Sequence, residues 1–135
     1  MTQISTFLMF SGDKHGMAEA AVNFYVSQFA DARVHSMNKN GPGAPEPGGT
    51  VWLAAFTLNG QRFIARDSAA PHTFNFTPSL SMFVTCETDE EISRLFAAFS
   101  PGGQTLMPLD NYGFSKRFGW VQDRFGVSWQ FNLPA

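Results

Sequence analysis

The polar side chains best placed to act together lie in the last quarter of the sequence. From Val127 to Leu133 the chain alternates: Val127, Trp129, Phe131 and Leu133 are apolar, and Ser128, Gln130 and Asn132 between them are polar. A strand so patterned covers a core with one face and turns the other to water or a ligand. The preceding Asp123-Arg124-Phe125-Gly126 suits a three-residue hairpin loop, a type I turn with Gly126 in the left-handed conformation. That turn pairs Asp123 with Val127, Gln122 with Ser128, Val121 with Trp129 and Trp120 with Gln130. Trp120, Gln122, Ser128 and Gln130 therefore share a face, an aromatic plane among two amides and a hydroxyl. These groups stack and hydrogen-bond, and they form the expected floor of a small-molecule site.

Other reactive residue types do not gather in the sequence. His15, His35 and His72 sit in or beside turns or on a weak strand, at no shared spacing, and read as solvated surface histidines. Cys86 is the one cysteine, which excludes an internal disulfide and a cysteine-cluster metal site and fits a reducing cytoplasm. With no base near it in sequence, Cys86 reads as an inert packed thiol. Asp110 and Lys116 are close enough along the chain for a local ion pair, worth under about 1 kcal/mol if exposed. No nucleophile–base pair or carboxylate dyad stands out, so catalysis finds no support here.

The elements that must hold these residues follow from the apolar pattern. At 135 residues, 44% hydrophobic and 15% charged, with fifteen Phe, the sequence predicts one core-rich globular domain. A formal net charge of −2 with scattered signs argues against nucleic acid or an anionic membrane as partner. No window approaches the ~20 apolar residues of a membrane span, and no signal peptide is recognised at the start. Strands are expected at Ile4 to Phe10, Ala32 to Lys39, Val51 to Leu58 and Gln61 to Asp67, with a helix from Met17 whose apolar face carries Ala21, Phe24 and Tyr25. Asn59-Gly60 supplies the two positive φ angles of a type I′ hairpin turn, pairing Phe56 with Phe63, Ala55 with Ile64, Leu53 with Arg66 and Trp52 with Asp67. The run from Asn40 to Gly49 is a loop rich in Gly and Pro.

The same order then recurs. Ser79 to Cys86 reads as a strand with Ser79, Ser81, Phe83 and Thr85 facing inward. Thr88 and Glu91 make a capping box for a helix that buries Ile92, Leu95, Phe96 and Phe99. Gln104 to Leu109 and the closing hairpin complete the set. The expected organisation is one βαβββ module over about 1–67, a loop over 68–78 and a second module over about 79–135. Each module should be a curved mixed sheet with a helix on its outer face and a cleft on its inner face, an α+β architecture.

Phe7-Leu8-Met9-Phe10, Asn23-Phe24-Tyr25, Phe56-Thr57-Leu58-Asn59-Gly60-Gln61, Phe83-Val84-Thr85-Cys86, Pro108 to Ser115 and Asp123 to Gln130 are similar to the PhnB-like family. That family, often labelled 3-demethylubiquinone-9 3-methyltransferase, is part of the vicinal oxygen chelate superfamily of glyoxalase I, bleomycin-resistance proteins and extradiol dioxygenases. The resemblance implies the paired βαβββ fold and a homodimer, often with modules exchanged between protomers. It further implies that Leu53 faces the cleft, and Arg66 with it. Arg66 then either recognises a carboxylate or planar ligand or is a surface arginine paired at a strand end; both readings stand. The loop carrying Asp110, Tyr112, Phe114, Lys116 and Arg117 is expected over the cleft mouth.

Superfamily enzymes hold a divalent ion with His, Gln or Glu from four strands. The matching positions here are Ser5, Thr6 or Phe7, then Leu53 or Ala55, then Ser79, and finally Gln130. Hydroxyls, aliphatics and one amide cannot neutralise a dication, so no metal is expected. S-adenosylmethionine is not expected either: the glycines at 41–49 lie among prolines with no helix following. The resulting expectation is a cytoplasmic, homodimeric protein binding an unidentified small molecule without cofactor, with a metal-dependent enzyme of the same superfamily as the alternative.

Overall fold

Alternating strands leave a sheet with one apolar face that another element must cover, and the chain meets this need twice. The computed structural model describes residues 1–135, which fall into two compact units, Met1–Asn75 and Phe76–Ala135. In the first, β1 (Thr6–Phe10) leads through a short 3₁₀ turn into α1 (Ala18–Gln28), followed by β2 (Ala32–Lys39), β3 (Val51–Leu58) and β4 (Gln61–Asp67). In the second, β5 (Ser81–Thr85) precedes α2 (Asp89–Phe99), then β6 (Gln104–Asp110), β7 (Arg117–Gln122) and β8 (Ser128–Leu133). Each unit is thus a βαβββ module, as the repeated pattern predicts.

The two sheets share one topology, in order β1-β4-β3-β2 and β5-β8-β7-β6. In each, the helix crosses to the far edge of the sheet. Two antiparallel hairpins then walk back, so that the last strand lies parallel to the first. The turn residues set the register in both. Asn59 (φ 51°) and Gly60 (φ 82°) make the expected two-residue turn, pairing Phe56 with Phe63 and Ala55 with Ile64. Gly126 (φ 98°) closes the other, and Trp120–Gln130, Val121–Trp129 and Gln122–Ser128 pair as predicted.

One part of the register differs. The β3–β4 ladder ends at Ala54–Ala65, so the expected Leu53–Arg66 and Trp52–Asp67 pairs do not form. A bulge is the cause: opposite Asn38 and Lys39, β3 supplies Leu53 and Val51, leaving Trp52 as the extra residue. The Val51 N–H then donates to the Asp67 carboxylate at 2.9 Å. β1 and β5 are also shorter than expected; Ile4 is exposed, and Ser79 and Leu80 precede the strand.

The two helices start by different means. Thr88 Oγ1 accepts from the Glu91 N–H at 3.1 Å, the first half of the predicted capping box. Glu91 reaches back to the Glu87 N–H instead of the Thr88 N–H. Helix α1 has no side-chain cap of its own. Its start is held by Asp67, whose Oδ1 accepts from Gly16 N–H at 2.8 Å and Ala18 N–H at 3.2 Å. Its buried face is Ala18, Ala21, Val22 and Tyr25, one step around from the expected stripe. In the second unit Phe99 of α2 wedges between Trp129 (centroids 4.8 Å) and Phe131 (5.2 Å). Gly119 lets the helix come close, since a Cβ there would meet the Phe96 ring at 2.6 Å.

Asp67 is 1% exposed and satisfies three backbone donors. Asp67→Ala is expected to lower the unfolding free energy by about 3 kcal/mol, because the donors lose a charged acceptor inside the fold. Asp110→Ala, at an exposed strand end, should cost under about 0.5 kcal/mol. Urea titration of both variants checks this, and an Asp67→Ala loss below that of Asp110→Ala would contradict it.

Candidate functional site

Because side chains alternate across a strand, each sheet presents one open face opposite its helix. On the second unit's sheet the cross-strand partners are Ser81–Ser128–Gln122 in one row and Phe83–Gln130–Trp120 in the next. The predicted wall residues Trp120, Gln122, Ser128 and Gln130 therefore do share a face, and Ser81 and Phe83 join them. Ser79 does not, being in the preceding turn with its hydroxyl 2.6 Å from Thr77 Oγ1.

These groups hold one another. Trp120 Nε1–H donates to Ser128 Oγ at 2.8 Å, and Ser128 Oγ lies 2.7 Å from Ser81 Oγ. The Gln130 amide donates to Ser81 Oγ at 3.3 Å, and Gln122 turns to the Gly126 carbonyl at 2.9 Å. The indole plane is thus pinned by its own N–H, which fixes a ring that would otherwise sample several rotamers. Next to it, Phe83 (59% exposed) and Phe114 (63%) flank the buried ring of Phe118 at 6.4 and 5.1 Å. Tyr112 stacks on Phe114 and donates its O–H to the Pro108 carbonyl at 2.6 Å.

The charges near that loop are arranged differently from the expectation. Lys116 pairs with Asp89 at 3.2 Å, and Arg117 reaches the same carboxylate at 3.5 Å and Ser93 Oγ at 2.7 Å. Asp110 accepts only from the adjacent Asn111 N–H at 2.7 Å, so the Asp110–Lys116 pair is not formed. The reason is α2: its first turn presents the acidic Asp89, and β7 runs beside it. The Lys116 hydrogen bond, with help from Arg117, holds the Asp89 carboxyl below its ordinary pKa.

On the first unit's sheet, Arg66 lies over the Trp52 ring, 4.3 Å from its centroid. It forms no ion pair, and its buried Nε has no hydrogen-bond partner. Of its two readings, the surface ion pair is therefore absent. The bulge at Trp52 is what brings the ring to this side of the sheet. Leu53 is on the same strand, partly exposed.

His15 is less open than its turn position suggested, whereas His72 is exposed as expected. His15 Nε2 is buried without a partner, and His72 Nε2 lies 3.1 Å from Ser68 Oγ. Both line a 480 Å³ hollow with Ser11, Asn75 and Phe74, between the α1 approach and the segment after β4. Nothing in the spacing of His15 and His72 pointed to this, because a folded loop brings them together. The Ser68–His72 contact lacks a carboxylate to orient the imidazole, as nucleophile activation requires.

A divalent ion does not fit the donors present. The positions expected to hold one carry Ser5, Thr6 or Phe7, Leu53 or Ala55, Ser79, and Gln130, whose amide already serves Ser81. No three His, Cys, Asp or Glu side chains converge. S-adenosylmethionine fits no better. The glycine stretch joins two antiparallel strands, closed by Asn40 N–H to Thr50 O at 2.8 Å, and no helix start follows it. No helix is long and apolar enough to cross a membrane.

The profile of a family described as 3-demethylubiquinone-9 3-methyltransferase matches residues 2–132. A solved structure of a Bacillus cereus PhnB protein, provisionally described by the same activity, is 48% identical with a TM-score of 0.91. The match covers 98% of this chain and 99% of that one. A glyoxalase-related enzyme from Fulvimarina pelagi is 19% identical, with TM-score 0.57 over 98% of this chain and 88% of its own. The fosfomycin resistance protein FosX from Listeria monocytogenes is 9% identical, with TM-score 0.60 over 100% and 94%. The last two share the fold alone. No curated protein sequence matches the chain.

Cys86 is buried, and burial with the nearby Glu91 charge pushes its thiol up to about 11. Only on the order of one thiol in a thousand is then ionised at pH 8. The native protein should resist thiol-disulfide reagents at pH 8 and react fully once unfolded in urea, as absorbance of the released thiolate would show. The raised value stabilises the fold below the thiol's ordinary pKa of 9, and that contribution disappears as pH rises toward 11. Rapid native labelling at pH 8 would contradict this picture.

Proposed function

The chain belongs to the PhnB-like family described as 3-demethylubiquinone-9 3-methyltransferase, and from that premise we propose that it binds a small planar molecule without a metal ion. The observation that carries the proposal is the Trp120–Ser128–Ser81–Gln130 chain of hydrogen bonds. It fixes an aromatic plane on the open face of a sheet before any ligand arrives, which reduces the ordering cost of binding. Exposed Phe83 and Phe114 extend the apolar area, and the Gln130 and Gln122 amides and the Ser81 hydroxyl give polar reference points. The family name carries a methyl-transfer activity, but the residues supply neither a nucleotide turn nor a general base at this face.

The active species is proposed to be a homodimer in a reducing cytoplasm, a reading supported by family membership and by a single, buried, unpaired cysteine. Exchange of modules between protomers belongs to the same proposal. Light scattering should give a mass twice the 14.9 kDa of the chain; a monomer would overturn the dimer.

The binding wall is tested with a neutral planar probe, 2-naphthol. It should raise the melting temperature, with about 2.7 kcal/mol of added stability at 100 times the dissociation constant. Trp120→Ala should weaken the probe at least about tenfold, the scale of one lost aromatic contact. Full affinity in that variant removes the wall. Stoichiometric Zn, Ni, Mn or Fe retained by the purified protein, and needed for binding, would instead favour the metal-dependent enzyme.

A further inference from the structure

The open face of the first unit's sheet has a charge pattern that the binding wall above does not use. Its four strands carry one acidic residue, Asp67, and that carboxylate is buried beneath the sheet against the start of α1. The same strands carry Arg33, Lys39, Arg62, Arg66 and His35. Lys39 is neutralised by Glu19 at 2.8 Å; neither Arg33 nor Arg62 forms an ion pair.

Arg33 and Arg62 are aligned by register. Thr57 of β3 pairs with Arg33 of β2 on one side and with Arg62 of β4 on the other. Directly opposed residues in a sheet lie on one face, about 5 Å apart, so the two arginines flank the Thr57 hydroxyl. Two guanidiniums held on one face without a counter-charge repel each other, and an anion between them removes that cost.

The third member orients the second. Arg33 Nε–H donates to His35 Nδ1 at 3.4 Å, which leaves the proton of the imidazole on Nε2. That N–H lies 3.0 Å from Thr57 Oγ1 and donates to it. The Thr57 O–H is then left to donate outward, toward the space between the arginines. His35 reaches this position because β2 bulges between Val34 and Ser36. A hollow of 330 Å³ opens over the row, with Arg62, His35, Thr57, Ser5 and Gln3 in its wall and Ala55 and Ile64 in its floor.

We propose that this hollow is a binding site for an oxyanion group, a carboxylate or a phosphoryl group on a small molecule, held by Arg62 and the Thr57 hydroxyl in its wall and by Arg33, which lies outside the lining but pairs with Thr57 and bonds His35. Guanidinium to oxyanion contacts are charge-assisted and geometrically matched. The apolar floor accommodates a compact hydrocarbon body attached to the anion. The site lies wholly within the first unit, so it stands or falls independently of the Trp120 wall.

The test uses three probes of one shape: phenyl phosphate, benzoate and the uncharged benzyl alcohol. They are titrated at constant ionic strength into ¹⁵N-labelled full-length protein. The two anions are expected to shift the Arg33, Thr57 and Arg62 signals, and benzyl alcohol is not. A stronger response to phenyl phosphate or to benzoate tells which oxyanion is preferred. Arg62→Gln and Arg33→Gln should each weaken the anions about tenfold or more, and Thr57→Val should weaken them less. Arg94→Gln, on α2, should change nothing. The proposal is overturned if benzyl alcohol binds as well as the anions, or if either arginine variant keeps full affinity. Anion-induced shifts confined to the second unit would overturn it too. Loss of 2-naphthol affinity in Trp120→Ala with these shifts unchanged separates this site from the wall.

Discussion

A carboxylate taken out of water must recover its hydration from fixed donors, and Asp67 does so from Gly16, Ala18 and Val51. Those three N–H groups belong to the approach to α1, to its first residue and to the start of β3. One side chain at the end of β4 therefore sets where the helix begins, where the bulge on β3 ends and how the last strand meets both. The open face of the first unit follows from this arrangement. The bulge it anchors carries Trp52 to the side where Arg66 stacks.

Asp123 performs a related task in the second unit. Its Oδ1 accepts from Phe125 and Val127 N–H at 2.9 and 3.0 Å, and its Oδ2 from the Trp129 indole at 2.8 Å. The turn is thereby tied to the core ring beneath it. Register on the opposite face, where Trp120 meets Gln130, depends on that tie. A slip of one residue would send the whole polar set to the helix side.

The two open faces differ in kind. In the second unit, neutral amides, hydroxyls and rings bond to one another, so the face is rigid and uncharged. In the first, guanidiniums face outward without carboxylates to meet them. A repeated fold has thus been given two unlike chemical surfaces. One architecture can carry unlike sites, because the fold fixes where side chains stand and not what they are.

Much of this was legible in the chain itself. Period-two alternation, Asn59-Gly60 and Gly126 specified both hairpins, because turn residues with positive φ act over a few positions and owe nothing to distant contacts. The sharing of a face by Trp120, Gln122, Ser128 and Gln130 followed from the turn alone. The tertiary structure decided what depends on partners far apart in sequence. Helix α1 begins at a carboxylate 49 residues away, and its buried stripe lies one step around from the expected one. The expected Trp52–Asp67 pair does not form because a bulge inserts one residue without a sequence mark. Lys116 chose Asp89 over the nearer Asp110 because β7 lies beside α2, and His15 and His72 line one hollow only after a loop closes. Local geometry is written in neighbouring residues, whereas a buried charge takes whichever donors the completed fold brings within reach.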